Sequence, residues 1–162
     1  MKILIHDMGS ACDELFKEKC DTLISADGRY APCRGCFGCW TKTPAACFMK
    51  DSLQEVCRMI GAADELVIVS ENCYGSYSPA VKNILDRSIG VSTPFSTYRG
   101  GQMHHTLRYG KHTMLRVIAY GDMTPAEAET FKALTARNMI NMGYESWVFE
   151  HIDSMEKVRE VL

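Results

Sequence analysis

The chain has 162 residues, a net charge of −2 and eight cysteines. This length suffices for one domain, residues 1–162, that buries a core without disulfides or metal ions as staples. The scattered Lys and Arg form no basic stripe for nucleic acid, and no apolar run is long enough for a membrane span or a secretory leader. We therefore expect a cytoplasmic protein whose thiols stay reduced unless they bind metal or do redox chemistry.

Short apolar runs alternate with helical patterns along the chain. This alternation predicts a parallel sheet covered by helices on both faces. The first strand is "KILIH", from Lys2 to His6. The other four predicted strands are "DTLIS", "ELVIVS" ending at Ser70, "TMLRVIAY" ending at Tyr120, and "YESWVFEH".

Several helix starts are visible between these strands. Thr124-Pro125-Ala126-Glu127 predicts a capping box and a helix that runs to about Met142, before Gly143. Ser78-Pro79 predicts another helix, with Val81, Ile84 and Leu85 facing inward. Further starts are predicted at Ser10, at Asp51 with Gln54, and at Asp153 with Glu156. The inward positions of the last two helices are Leu53, Val56, Cys57 and Ile60, and then Met155, Val158 and Leu162.

A cysteine-rich loop, residues 33–47, contains the spacing C-x2-C-x2-C-x7-C. Four thiolates this close can surround one centre, and Gly35 and Gly38 permit the tight turns that this requires. The spacing favours an iron-sulfur cluster over zinc, for which two separated C-x2-C pairs are usual. The alternative is a loop of small side chains packed by Phe37 and Trp40, without metal.

Two segments, "CRGCFGCWTKTPAACFMKDS" and "ADELVIVSENCYGSYSPAVKNILDR", resemble the iron-sulfur flavoproteins and the related NAD(P)H-dependent FMN reductases. The resemblance implies a flavodoxin-like α/β/α sandwich with a five-stranded parallel sheet of order 2-1-3-4-5, and FMN at the switch point between the first and third strands. It also implies a four-iron, four-sulfur (4Fe-4S) cluster. The implied ligands are Cys33, Cys36, Cys39 and Cys47.

The flavin contacts implied by the resemblance lie in three loops at the carboxyl ends of strands. The loop after the third strand keeps part of the family pattern S-P-x-Y-x-G-S-x-S, with Glu71 in place of the proline and Cys73 in place of the aromatic residue. The implied FMN-binding residues are Gly9, Ser10, Asn72, Cys73, Tyr74, Gly75, Ser76, Tyr120, Gly121 and Asp122. Cys73 is also a candidate redox-active thiol.

The loop after the first strand departs from the family. Relatives carry G-S-x-R followed by N-T, which wraps the FMN phosphate at a helix N-terminus. Here "HDMGSACDELFKEKC" is shorter, lacks the arginine and the hydroxyl pair, and places Asp7 and Asp13 near the phosphate position. Ser10 is alternatively a plain helix N-cap.

Two further features have a functional and a structural interpretation. His104 and His105, with Arg99, Arg108 and Lys111, either receive an anionic substrate or form a solvated loop or an oligomer contact. Asp86 and Arg87 match the family pattern after the flavin loop, or form a helix-end ion pair.

The leading prediction is an FMN-dependent, electron-transferring iron-sulfur flavoprotein. Its redox partner is NAD(P)H or another electron carrier, and it assembles as a dimeric or tetrameric homo-oligomer. No catalytic acid, base or nucleophile is assigned, because the cofactors supply the chemistry. One alternative is a flavin-free cluster-binding, metal-binding or partner-binding module, and another is an FMN reductase without a cluster.

Overall fold

The computed structural model describes all 162 residues, which form seven strands and six helices. The strands are β1 (Lys2–His6), β2 (Thr22–Ser25), β3 (Glu65–Glu71), β4 (Ser92–Arg99), β5 (Gln102–Leu107), β6 (His112–Tyr120) and β7 (Tyr144–Ile152). The helices are α1 (Asp13–Lys17), α2 (Gly38–Thr41), α3 (Val56–Gly61), α4 (Pro79–Arg87), α5 (Pro125–Met142) and α6 (Met155–Val161). Short 3-10 turns lie at Ser10–Cys12 and Ile89–Val91.

Five strands form one parallel sheet in the order β2-β1-β3-β6-β7. These are the five strands predicted from the sequence, and their order is the predicted flavodoxin-like 2-1-3-4-5. The strands β4 and β5 form a separate antiparallel hairpin, in a segment that was predicted to be irregular. None of the helices combines the length and apolar character needed to cross a bilayer.

The central strands are buried on both faces, as expected when helices cover both sides of a parallel sheet. On one face, Ile3, Ile5 and Ile68 pack with residues of α3, α4 and α5. On the other face, Leu4, Val67 and Ile118 pack with Phe16 of α1 and Val158 of α6. Two clusters of apolar side chains therefore hold the sheet in the middle layer.

The two best-marked helices begin as predicted. Ser78 Oγ accepts a hydrogen bond from the Val81 amide at the start of α4. At α5, Thr124 and Glu127 form the full capping box, and the helix ends at Gly143, which has a positive φ of 86°. Polar caps satisfy amides that would otherwise lack partners, so these sequence signals were reliable.

The other helix starts were wrong in detail. Ser10 makes no cap hydrogen bond, and the helix α1 begins only at Asp13. The helix α3 begins at Val56, because Asp51 bonds the Leu53 amide within a turn and pairs with Arg87. The predicted apolar stripe of α3 is nevertheless buried. At α6, Met155 is exposed, contrary to prediction, whereas Val158 is buried.

Candidate functional site

Three loops at the carboxyl ends of β1, β3 and β6 are held together by one carboxylate. Asp7 accepts hydrogen bonds from Ser70 Oγ at 3.2 Å, from the Glu71 amide at 3.0 Å and from the Tyr120 hydroxyl at 2.9 Å. Burial and the neighbouring Asp7 carboxylate raise the pKa of Tyr120, so this phenol remains a donor. Asp7 therefore fixes the sheet edge at which the sequence predicts a flavin.

The loop between β1 and α1 offers little to a phosphate dianion. Asp13 lies 3.1 Å from the buried His6, although the two groups are not aligned for a hydrogen bond. Burial lowers the pKa of His6, so its ring is held in the neutral form. The cation that bonds this loop is Arg159, which donates to Cys12 Sγ at 3.4 Å. These residues therefore offer a phosphate two carboxylates and one cation, rather than the arginine and hydroxyl pair that the resemblance implies.

The loop after β3 is stabilised by its own backbone amides. The Asn72 amide donates to Tyr120 O, the Cys73 and Ser76 amides bond each other's carbonyls, and the Gly75 amide donates to Asn72 Oδ1. The Asn72 side-chain amide also donates to Asp122 O at 2.8 Å, which joins this loop to the one after β6. A ligand at this loop therefore meets a fixed surface rather than a row of free amides.

An open cleft of about 680 Å³ lies between these two loops and the N-terminal ends of α4 and α5. It contains four of the predicted flavin residues, Asn72, Cys73, Tyr74 and Asp122. Tyr74 adopts a positive φ of 53°, and its side chain is 88% exposed.

The remaining predicted flavin residues lie outside the lining of this cleft. Gly75 and Ser76 shape its loop, and Gly75 packs so closely on α5 that a Cβ atom would lie 2.9 Å from Glu127 O. Gly9, Ser10, Tyr120 and Gly121 do not line the cleft. Glu71, which the sequence placed in the flavin loop, and Glu127, which it assigned only to a helix cap, add carboxylates to the cleft.

The four cysteines of the 33–47 loop line a single cavity. The cavity has about 420 Å³ of empty space, part of it open to solvent, and apolar side chains such as Phe37, Phe48 and Ile89 form much of its wall. Cys33 and Cys36 are exposed, whereas Cys47 is buried. Burial, assisted by the three neighbouring cysteines, raises the pKa of Cys39. The predicted set of four thiols is thus brought together by the fold.

These thiols do not form a ready-made site for a single metal ion. No group of three or more His, Cys, Asp or Glu side chains in the structure has that geometry. All eight cysteines are free thiols. A fifth thiol, Cys57, lies behind the cavity in the core and donates to Arg87 O at 3.1 Å, and burial raises its pKa to about 12.

Arg87 also lines this cysteine cavity. The structure does not pair it with Asp86, because Asp86 bonds Lys82 instead. The Arg87 guanidinium makes two hydrogen bonds with the Asp51 carboxylate, at 2.7 and 2.8 Å, and a third with Ala31 O at 2.8 Å. These bonds hold the pKa of Asp51 down, at about 2.

The histidine-rich segment lies on the β4–β5 hairpin and contacts the rest of the chain. His105 packs on Trp40 with ring centroids 4.7 Å apart, and Trp40 stacks on Phe37 at 5.0 Å. Arg99 and Arg108 donate to backbone carbonyls, of Ile140 and Gly90 respectively. These contacts hold the segment against the body of the chain, and His105 also lines a cavity with Lys82 and Asn141.

Residues 10–153 match the family model described as NADPH-dependent FMN reductase. The chain belongs to this FMN reductase family. It is thereby placed among the FMN-dependent NAD(P)H oxidoreductases, whose flavin is the one predicted from the sequence. A search of curated protein sequences found no significant match.

Several solved structures share the fold of this FMN reductase family member. The NAD(P)H:quinone oxidoreductase from Methanothermobacter marburgensis is 13% identical, with a TM-score of 0.56 over 99% of this chain and 92% of that one. An azoreductase from Bacillus anthracis is 13% identical, with a TM-score of 0.58 and the same coverage. An FMN-dependent NADH-azoreductase from B. anthracis, solved in complex with FMN, is 13% identical. Its TM-score is 0.52, and the match covers 93% of this chain and 85% of that one. At these identities the similarity shows the fold alone.

Proposed function

We propose that this protein is a cytoplasmic redox protein. It carries an iron-sulfur cluster in the cysteine cavity and a flavin in the cleft between the loops after β3 and β6. The observation that carries the proposal is the convergence of Cys33, Cys36, Cys39 and Cys47 on one cavity. Four thiols without a carboxylate or imidazole among them form the soft donor set that iron-sulfur clusters take. When bound, such a cluster takes up and releases electrons.

The cysteine spacing favours a cluster over zinc, for which two separated C-x2-C pairs are usual. Zinc holds thiolates at about 2.3 Å from one point, which draws four sulfurs into a small tetrahedron. The four thiols are not gathered around such a point. The cavity that they share is largely apolar, with Phe37, Phe48 and Ile89 in its wall.

The flavin is expected in the cleft between the loops after β3 and β6. Tyr74 is an exposed aromatic side chain held in a left-handed backbone conformation, a strained arrangement that proteins keep mainly at functional sites. The resemblance implies that the FMN phosphate binds at the loop after β1, where Asp7 and Asp13 carry carboxylates. The flavin is therefore bound mainly through its ring rather than through its phosphate, and this chain holds FMN more weakly than its relatives do.

The two centres lie at opposite ends of one helix. Pro79, the first residue of α4, lines the flavin cleft, and Arg87, its last residue, lines the cysteine cavity. At 1.5 Å per residue, these ends are about 12 Å apart. The proposal therefore puts the two centres close together, and NAD(P)H or another redox partner supplies electrons to the flavin. A homo-oligomer would bring further pairs of centres together.

Purification without oxygen followed by a visible spectrum tests the proposal. We expect flavin peaks together with the broad brown absorbance of a cluster, and loss of iron and of the brown absorbance in Cys36→Ala. Cys20→Ala is the matched control, because Cys20 lies outside the cavity and bonds Phe16 O. A colourless protein that takes up neither FMN nor iron and sulfide would overturn the proposal.

The same spectrum separates the two competing functions. Brown absorbance without flavin indicates a cluster-binding module, which the carboxylates near the phosphate position favour. Flavin peaks without iron indicate an FMN reductase whose four thiols are structural, which the family assignment favours.

A further inference from the structure

We propose that Arg87 is a positioning residue at the cysteine cavity. Its guanidinium holds an anionic iron-sulfur cluster in place and raises the reduction potential of that cluster. This inference rests on the proposed function, because it concerns the occupant of the same cavity.

The first observation is the complete burial of this cation. The Arg87 side chain is 0% exposed, and it lies at the wall of a cavity that is otherwise lined mainly by apolar groups and thiols. Burying a guanidinium is costly unless nearby charges and hydrogen bonds compensate for the lost water. Asp51 provides one such charge, so Arg87 and Asp51 together are neutral.

The second observation is an unused donor. A guanidinium has five N–H groups. The Nη1 group donates to Asp51 and to Ala31 O, and the Nη2 group donates to Asp51. The Nε–H of Arg87 is buried and has no partner. A buried donor without an acceptor costs free energy, which a ligand that brings an acceptor removes.

The third observation is that this guanidinium and a ligand thiol share one cavity. Arg87 and the buried Cys47 both line it, and Arg87 is fixed there by the hydrogen bonds that it donates to Asp51. Hydrogen bonds to ligand sulfurs and local charge are among the factors that set the reduction potential of a cluster. Arg87 lines the cavity and Asp51 does not, so the guanidinium is the nearer charge of this neutral pair and favours the reduced form, which carries the additional negative charge.

Asp51 completes the arrangement by orienting the guanidinium. Each of its two oxygens accepts a hydrogen bond from a different nitrogen of Arg87. One oxygen also accepts a hydrogen bond from the Ala31 backbone amide, and the other from the Leu53 backbone amide. Lysine has one nitrogen and cannot form this fork. Arg34 also lines the cavity, but it is exposed, so its charge is screened by solvent.

The test uses the reconstituted full-length protein and measures iron and sulfide content and the midpoint potential of the cluster. The variants are Arg87→Gln, Arg87→Lys and the double variant Arg87→Gln with Asp51→Asn, which avoids leaving one buried charge unpaired if the single variant does not fold. The matched control is Arg116→Gln, because Arg116 makes the same two-bond pair with Glu150 on the strands β6 and β7, outside the cavity.

We expect Arg87→Gln to shift the reduction equilibrium about tenfold toward the oxidised form, which is about 59 mV for one electron. The double variant should shift it in the same direction by less, because it also removes the Asp51 carboxylate. Arg87→Lys, which restores the charge, should recover most of that shift, and Arg116→Gln should match the wild type. If the wild type binds a cluster and the double variant has the same midpoint potential and iron content, this inference alone is overturned. A wild-type protein that takes up no iron would overturn the proposed function together with it.

Discussion

Replacing Gly90 by alanine tests how tightly the cysteine cavity is packed against the core. A Cβ atom at Gly90 would lie 2.8 Å from Cys57 Sγ and 3.1 Å from Cys39 Cβ. Cys57 is fully buried, so it cannot move into solvent. Overpacking of this kind costs about 1–3 kcal/mol, and the reduced freedom of the unfolded chain returns up to about 1 kcal/mol. We expect a net loss of about 1–2 kcal/mol.

Thermal melting followed by circular dichroism measures this effect. For a chain of this size, the loss corresponds to a fall in Tm of about 2–8 °C. Gly38→Ala, in the cysteine-rich loop that lines the same cavity, is the matched control, because its Cβ would meet only Cys36 Sγ, at an ordinary 3.6 Å. Since the clash pushes Cys39 outward, Cys39 should also be alkylated faster in Gly90→Ala. A Gly90→Ala protein that melts at or above the wild-type temperature, with Cys39 unchanged, would refute the packing argument.

Three further predictions concern the helix cap, the buried histidine and the flavin loop. Thr124→Ala removes the capping box of α5 and should lower the stability to urea by about 1 kcal/mol, and unchanged stability would contradict the cap assignment. Burial lowers the pKa of His6, so near pH 6.5 the unfolded chain takes up a proton that the folded chain does not. The free energy of unfolding should therefore be highest above pH 6.5 and fall as the pH drops below it. The variant His6→Gln should lack this fall. Asp7→Asn removes one negative charge near the expected position of the FMN phosphate. In fluorescence titrations it should strengthen the binding of FMN about fivefold relative to that of riboflavin, which has no phosphate. An equal gain for both flavins would show that charge is not the cause.

The sheet could be predicted from the sequence because its physical cause is local. Strands buried on both faces must be continuous apolar runs, and such runs are visible in the sequence. The starts of α4 and α5 were equally visible, since a cap uses residues only three positions apart. The hairpin was missed because many of its side chains, including Phe95 and Tyr98, are exposed, which hides the usual alternation. Its signal was the pair Gly100-Gly101, both with positive φ.

The candidate site was predictable only where its residues are close in sequence. The spacing of the four cysteines predicted their convergence on one cavity. The pairing of Asp51 with Arg87 joins residues 36 positions apart and was not predictable, because it depends on how α4 packs against the preceding turns. For the same reason the sequence indicated a cap at Asp51, and only the fold shows that this carboxylate serves Arg87.

The position of Trp40 makes its fluorescence sensitive to what occupies the cysteine cavity. The chain has two tryptophans, and Trp40 directly follows Cys39 and is stacked between Phe37 and His105. Its fluorescence will therefore be quenched when a coloured centre fills the adjacent cavity. Trp147 lies on β7 at the edge of the sheet and supplies a second emission that is less affected. Binding of the proposed cluster can thus be tested in real time by intrinsic emission, without any label.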